Sequence, residues 1–288
     1  MSKNIKKEIS PERAAILRKI EQYELEGRFD EDVEDDPESP ELRPEDIKYL
    51  DKGLWAEIKN KTAFASAYAF LWMAQLKKNI ILNDTLGVEN LSAVKGGAII
   101  TCNHFNPLDS FVMQRVFDRS KHKGRMYRII REGNYTGFPG YFGFLMRNCN
   151  TLPLSSNMAT MKHFLRAVKT ALADGNCVLI YPEQSMWWNY RKPKPLKPGA
   201  FDMAVKNGVP VVPVFITLED SDIIGDDGLP VQIYTPHVGK AIYPDPTLGK
   251  KEARDKMMGE NYEYYKQVYE EFYGIPLTYT TIINERSE

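Results

Sequence analysis

Apolar positions change their spacing along this chain. Pro11 to Gly27 reads as a short charged helix with a thin apolar stripe of Ala14, Ile16, Leu17 and Ile20. Leu54 to Leu76 is a second helix. From Gly96 onward short continuous apolar runs alternate with helical stretches. Gly97–Thr101 has the pattern of a buried strand, followed by a helix from Pro107 to Phe117, and Arg125–Ile130 is a weaker strand. Met158–Ala173 predicts an amphipathic helix closed by Gly175, and Cys177–Tyr181 a further strand. Gly199–Asn207 predicts a helix ended by Gly208, then a strand over Val209–Thr217. Asp227-Gly228 marks a turn before an antiparallel run from Val231 to Ile242. A last helix over Lys251–Tyr273 carries Tyr262, Tyr265, Tyr269 and Phe272 at helical spacing, a docking stripe.

Alternation of strand and helix predicts an α/β fold with a mostly parallel sheet flanked by helices, preceded by an N-terminal helical appendage. Three segments are expected: 1–52, a charged helix and acidic linker; 53–85, an amphipathic or interfacial helix; and 86–288, the α/β domain with its C-terminal helix. Between Glu31 and Asp46, nine of sixteen residues are acidic and three are proline. Such a run repels itself, so it reads as a solvated linker or an interaction arm. Thr62–Leu76 is an uncharged stretch of 15 residues between Lys61 and Lys77. At ~1.5 Å per residue it reaches ~22 Å, short of a ~30 Å hydrocarbon core. It suits either an interfacial helix, with Phe64, Tyr68, Phe70 and Trp72 buried in lipid, or an ordinary core helix.

Composition narrows the function classes. Lys+Arg total 38 against 39 for Asp+Glu, a net charge of -1, without the basic excess of a dedicated nucleic-acid binder. Cys102, Cys149 and Cys177 are far apart and only four histidines are present, so no metal site is expected; sparse, odd cysteines suit a reducing compartment. The polar N-terminus has no apolar run behind it, and a cytoplasmic location is expected. No Walker-type loop, Gly-x-Gly-x-x-Gly fingerprint or Gly-x-Ser-x-Gly elbow is present.

Ligands of open α/β sheets gather outside the carboxyl ends of the strands, and two such ends carry ionisable groups. The first is Asn103-His104-Phe105-Asn106-Pro107-Leu108-Asp109. With Pro107 as the first helical residue, Asn106 is the N-cap and Asp109 lies in the first turn, within reach of His104. A carboxylate on one imidazole nitrogen fixes the tautomer and raises the basicity of the other, as a general base requires. Equally, Asp109 could complete a cap with Asn106. The second end is Tyr181-Pro182-Glu183-Gln184-Ser185, followed by Trp187, Trp188 and Tyr190 and then Arg191, Lys192, Lys194 and Lys197. Aromatics beside cations suit an anionic headgroup or a membrane interface, or form an exposed loop anchored by core tryptophans.

These blocks resemble those of the PlsC-type glycerolipid acyltransferases. Asn103-His104-x4-Asp109, preceded by Gly96-Gly97-Ala98-Ile99-Ile100, is similar to the family's Asn-His-x4-Asp motif. Gly143-Phe144-Leu145-Met146-Arg147 resembles the second block, with Met146 where Asp is common. Tyr181-Pro182-Glu183-Gln184-Ser185 resembles the third, Phe-Pro-Glu-Gly-Thr-Arg, with Gln184 for Gly and Met186 for Arg. Lys197-Pro198-Gly199-Ala200 and Val209–Val214 complete the pattern. The resemblance implies that His104, oriented by Asp109, deprotonates an acceptor hydroxyl, which attacks a thioester directly. It implies substrate binding by Asn103, Arg147, Glu183, Gln184, Ser185 and Lys197. It further implies a lysophospholipid acceptor, with 1-acyl-sn-glycerol-3-phosphate first in line. The donor would be acyl-CoA or acyl carrier protein as co-substrate, with no cofactor, at the cytoplasmic face of a membrane. Acylation of a different lipid alcohol, or lipid binding without catalysis on the same fold, are the alternatives. Because Met186 carries no charge, Arg191, Lys192, Lys194 and Lys197 are expected to help Arg147 offset an acceptor phosphate.

Overall fold

The computed structural model of the protein describes residues 8–35 and 38–281. In chain order its elements are α1 (Pro11–Glu26), α2 (Leu54–Leu76), β1 (Ile81–Leu82), α3 (Val88–Ser92), β2 (Ala98–Cys102), α4 (Asp109–Ser120), β3 (Met126–Ile130), α5 (Glu132–Thr136), α6 (Gly140–Asn148), β4 (Thr151–Pro153), α7 (Met158–Ala173), β5 (Cys177–Ile180), α8 (Gly199–Asn207), β6 (Val211–Ile224), β7 (Pro230–Val238) and α9 (Lys250–Tyr273). The described strands form one sheet in the order β1-β7-β6-β2-β5-β3-β4. Every pairing is parallel except the β6–β7 hairpin, which turns through Asp227-Gly228 as the sequence predicts.

All residues of β2 and β5 are buried, as central parallel strands covered on both faces must be. Alternate side chains feed two helical layers. Ile100, Leu179 and Val212 meet Leu71 of α2 and Val112, Met113 and Val116 of α4. Ile99, Val178 and Val211 face the other way, against Phe164 and Val168 of α7, Phe201 of α8 and Met257 of α9. The expected strand over Val209–Thr217 runs on to Ile224, because its second half pairs with β7 and not with β2.

The acidic run keeps most of its carboxylates exposed but is anchored to the rest of the molecule. Val33 and Leu42 are 3% and 0% exposed. Trp187 Nε1 donates to the Glu31 carbonyl at 2.8 Å, and Arg131 grips the Asp32 carboxylate at 2.7 and 2.8 Å. The hydroxyls of Ser155 and Thr160 both donate to the Leu42 carbonyl. Asp32 thus meets a cation of the α/β domain, Glu34 and Asp35 pair with Arg13 and Lys19 of α1, and Val33 and Leu42 anchor the run; Asp36 and Pro37 lie outside the described residues. With α1, this arm closes over Trp187, which packs among Ile20, Tyr23 and Val33.

Candidate active site

β2 and β5 are adjacent and parallel, so the segments leaving their carboxyl ends share one sheet edge. Two backbone bonds join them, from the Trp187 amide to the His104 carbonyl at 3.3 Å and from the Asn189 amide to the Phe105 carbonyl at 2.9 Å. His104 Nδ1 lies 2.6 Å from Asp109 Oδ2. Asp109 is 1% exposed, while the imidazole keeps 24% of its surface. Its ring stacks on Tyr181 with centroids 4.2 Å apart and planes inclined by 20°. Burial, and next the Asp109 charge, raise the Tyr181 phenol well above its ordinary value, so this wall of the site stays neutral.

The helix carrying Asp109 starts later than expected. Asn106 is not its N-cap: its side-chain oxygen accepts the Leu108 amide at 2.9 Å and its carbonyl accepts the Asp109 amide at 3.0 Å. Pro107 and Leu108 therefore form a turn, and the cap position falls on Leu108, which leaves the Asp109 carboxylate to the imidazole. The first turn of α4 also favours that negative charge.

Other candidates hold the frame around His104. Asn103 donates to the Ile216 carbonyl at 3.0 Å and accepts the Ile216 amide at 2.8 Å, pinning the end of β2 to β6. Glu183, 2% exposed, accepts the backbone amides of His104 at 3.2 Å and Lys194 at 2.9 Å. Lys194, 1% exposed, places its Nζ 3.9 Å from Glu183 Oε2 and donates to the carbonyl and hydroxyl of Ser185 at 2.6 and 2.7 Å. Burial raises Glu183 against the pull of Lys194, and lowers Lys194 to about 8 against the pull of Glu183. The Ser185 hydroxyl donates to the Phe29 carbonyl, so it is fully engaged in the interior. Gln184 has a φ of 66°, the left-handed region that a glycine enters freely.

The cations expected to gather round an acceptor are instead tied to carboxylates. Arg191 pairs with Asp220 at 2.7 Å, Lys192 with Glu24 at 2.6 Å and Lys197 with Asp30 at 2.6 Å. Arg147 donates to the Tyr135 and Phe138 carbonyls and so fastens the α5–α6 turn. Gly143 is needed there, because a Cβ would sit 1.9 Å from the Phe138 carbonyl oxygen. Sequence reading passed over Arg131, which ends β3 on the same edge and lines a cleft of about 490 Å³ with Glu132, Phe138, Leu154, Ser155 and Ser156. It also passed over the stacking role of Tyr181. An ionisable group directly after a strand was the available signal for Arg131.

Residues 85–217 match the Acyltransferase family model, a span that takes in β2 through the first half of β6 and all four sequence blocks. The chain is 28% identical over 151 residues to a chloroplastic 1-acyl-sn-glycerol-3-phosphate acyltransferase, BAT2, of Brassica napus. That match takes in 51% of this chain but only 40% of the relative, so the chain spans less than half of the curated protein's length. The crystal structure of PlsC from Thermotoga maritima, a 1-acyl-sn-glycerophosphate acyltransferase, superposes with a TM-score of 0.50 at 18% identity, covering 80% of this chain and 86% of that one; the likeness is one of fold. Together with the His-x4-Asp block at the β2 edge, these matches make residues 85–217 similar to the acyltransferase family, and the whole chain similar in fold to a PlsC enzyme.

Proposed function

We propose that this protein transfers a fatty acyl group from a thioester, acyl-CoA or acyl carrier protein, to the free hydroxyl of a lysophospholipid. Our first acceptor is 1-acyl-sn-glycerol-3-phosphate, which would give phosphatidic acid. The observation that carries the reading is the His104–Asp109 contact of 2.6 Å beside a partly open imidazole. With Nδ1–H held by the carboxylate, the Nε2 lone pair takes the acceptor's hydroxyl proton as its oxygen forms a bond to the thioester carbonyl. The tetrahedral species collapses with cleavage of the C–S bond, and the imidazolium returns the proton to the departing thiolate. An acyl-enzyme has no support: the Ser185 hydroxyl is bonded at both ends, and burial raises the Cys102 thiol well above its ordinary value.

In this reading the cleft beside Arg131 takes the acceptor's polar head, and a phosphate there competes with Asp32 for the guanidinium. Asn103, Glu183, Gln184 and Ser185 act on the acceptor only through the frame that they build. A membrane contact is part of the same reading. Among the described residues no helix is long and apolar enough to cross a membrane. Yet Leu54, Trp55, Trp72 and Leu76 of α2 are 75%, 74%, 61% and 63% exposed, and Phe142 of α6 beside them is 47% exposed. Such a concentration suits an interfacial helix delivering a lipid to the cleft.

The pairing of Lys192, Lys194 and Lys197 favours one rival, an acceptor with less charge than a phosphomonoester. Thiol release from palmitoyl-CoA and from palmitoyl carrier protein across a panel of acceptors separates the two. Turnover on lysophosphatidic acid supports the proposal. Turnover confined to uncharged lipid alcohols selects the rival, and no turnover on any acceptor with either donor removes both.

A further inference from the structure

The exposed face of α7 carries charge of one sign only. From Met158 to Ala173 the helix contains no acidic residue, while Lys162, His163, Arg166 and Lys169 are all exposed. Met158, Lys162, Leu165, Arg166 and Lys169 follow one another at helical spacing and so form one stripe. Its two apolar members are open to solvent, Met158 at 73% and Leu165 at 48%. Among the described residues, none of the four basic side chains forms an ion pair or hydrogen bond. Elsewhere on the surface Arg125, Arg131, Arg191, Lys192 and Lys197 are each matched by a carboxylate. What sets this face apart is the grouping of four unpaired basic side chains around an apolar centre on a helix without an acidic residue.

Position adds a second argument. α7 leaves the carboxyl end of β4 through residues 154–157, and Asn157 caps it by accepting the Ala159 and Thr160 amides. Its first turn thus stands on the edge that carries His104, with β5 and β3 between β4 and β2. Three strand spacings come to ~14 Å, a distance that a thioester on a long flexible prosthetic arm can bridge. The layer matters as well. The buried side of α7 packs with Ile99 and Val178, whereas Leu71 of α2 packs on the opposite face of the sheet. A membrane met by the apolar surface of α2 leaves α7 turned toward water.

We infer that this face docks an acidic, soluble carrier protein that presents the acyl thioester to His104. The inference rests on the acyl-transfer reading and names the form in which the donor arrives. Charge complementarity supplies steering and register, and Met158 and Leu165 supply the apolar contact. The carrier approaches from the water side while the lipid acceptor enters from the α2 side.

The test compares wild type with Lys162→Glu/Arg166→Glu/Lys169→Glu, and with the milder Lys162→Gln/Arg166→Gln, after melting curves show that both fold. Immobilised palmitoyl carrier protein is the probe for binding, at low and high salt. The expected result is salt-sensitive binding by wild type, weakened about tenfold or more in the triple variant, since reversing three rim charges turns attraction into repulsion. The KM for palmitoyl carrier protein rises in parallel, and the KM for palmitoyl-CoA stays within about twofold. Absence of carrier binding by wild type overturns the proposal, as does a triple variant that binds it equally well. So does a variant that keeps the carrier but loses flotation on anionic vesicles, which would make the face a membrane contact. Failure of the acyl-transfer reading is separable, because it shows as wild-type inactivity with both donors while carrier binding is measured independently.

Discussion

Gln184 holds a φ of 66° in the turn after β5, where a side chain normally costs about 1 kcal/mol. The related motif has glycine at this place. Gln184→Gly is therefore expected to stabilise the fold by about 0.5–1 kcal/mol in urea titrations, the lost strain outweighing the greater freedom of glycine when unfolded. Lys194 is the opposite case, a buried cation that the fold cannot release. Lys194→Met leaves the Glu183 carboxylate buried without its countercharge and should cost about 3–5 kcal/mol. The pH dependence has a definite sign. Burial lowers the Lys194 ammonium to about 8 from its ordinary 10.5. Between those values the unfolded chain binds more protons than the folded one, so this group's contribution to stability rises with pH. The gap between wild type and Lys194→Met should widen from pH 8 to pH 10.5. A gap that narrows there would contradict an ammonium lowered by burial.

At the scale of elements, the arm over residues 28–35 and α1 are held by one tryptophan. Trp187 is fully buried, stacks on Phe29 at 5.6 Å and receives Lys194 Nζ over its ring at 4.9 Å. Trp187→Ala should cost about 3–5 kcal/mol and open the arm to protease before the sheet unfolds; a variant whose arm stays protected would show that the ion pairs alone suffice. This part of the structure was the least legible in the sequence. The Glu31 carbonyl and the Trp187 indole are 156 residues apart, and nothing in a run of nine acids within sixteen residues says which cations lie opposite. The strands and the His104–Asp109 pair were legible because they are local. Buried runs such as Ala98–Cys102 declare a parallel strand, and a pair five residues apart across a strand end can only meet at the sheet edge. The Asn106 turn was misread because Pro107 suits the first position of a turn as well as that of a helix. Lys192, Lys194 and Lys197 formed a cationic cluster in the sequence, but each found its carboxylate on a different element.

On the scale of the whole molecule, the sheet separates an apolar face on α2 from a basic one on α7, with the His104 edge between them. Moving two exposed tryptophans from water into an interface contributes about 1.5–3 kcal/mol each when burial is complete. Trp55→Ser/Trp72→Ser should thus weaken flotation with anionic liposomes by tenfold or more and leave the melting temperature nearly unchanged; unaltered flotation would remove α2 from the membrane contact. The account as a whole turns on one imidazole. Its most direct test is the steady-state rate of thiol release from palmitoyl-CoA with lysophosphatidic acid in uncharged detergent, for wild type, His104→Ala and Asp109→Asn. A general base oriented by a carboxylate predicts that kcat falls by about 10²–10⁴ in His104→Ala, and by a smaller factor in Asp109→Asn, with KM little changed. A His104→Ala protein that is folded and turns over at the wild-type rate would contradict it.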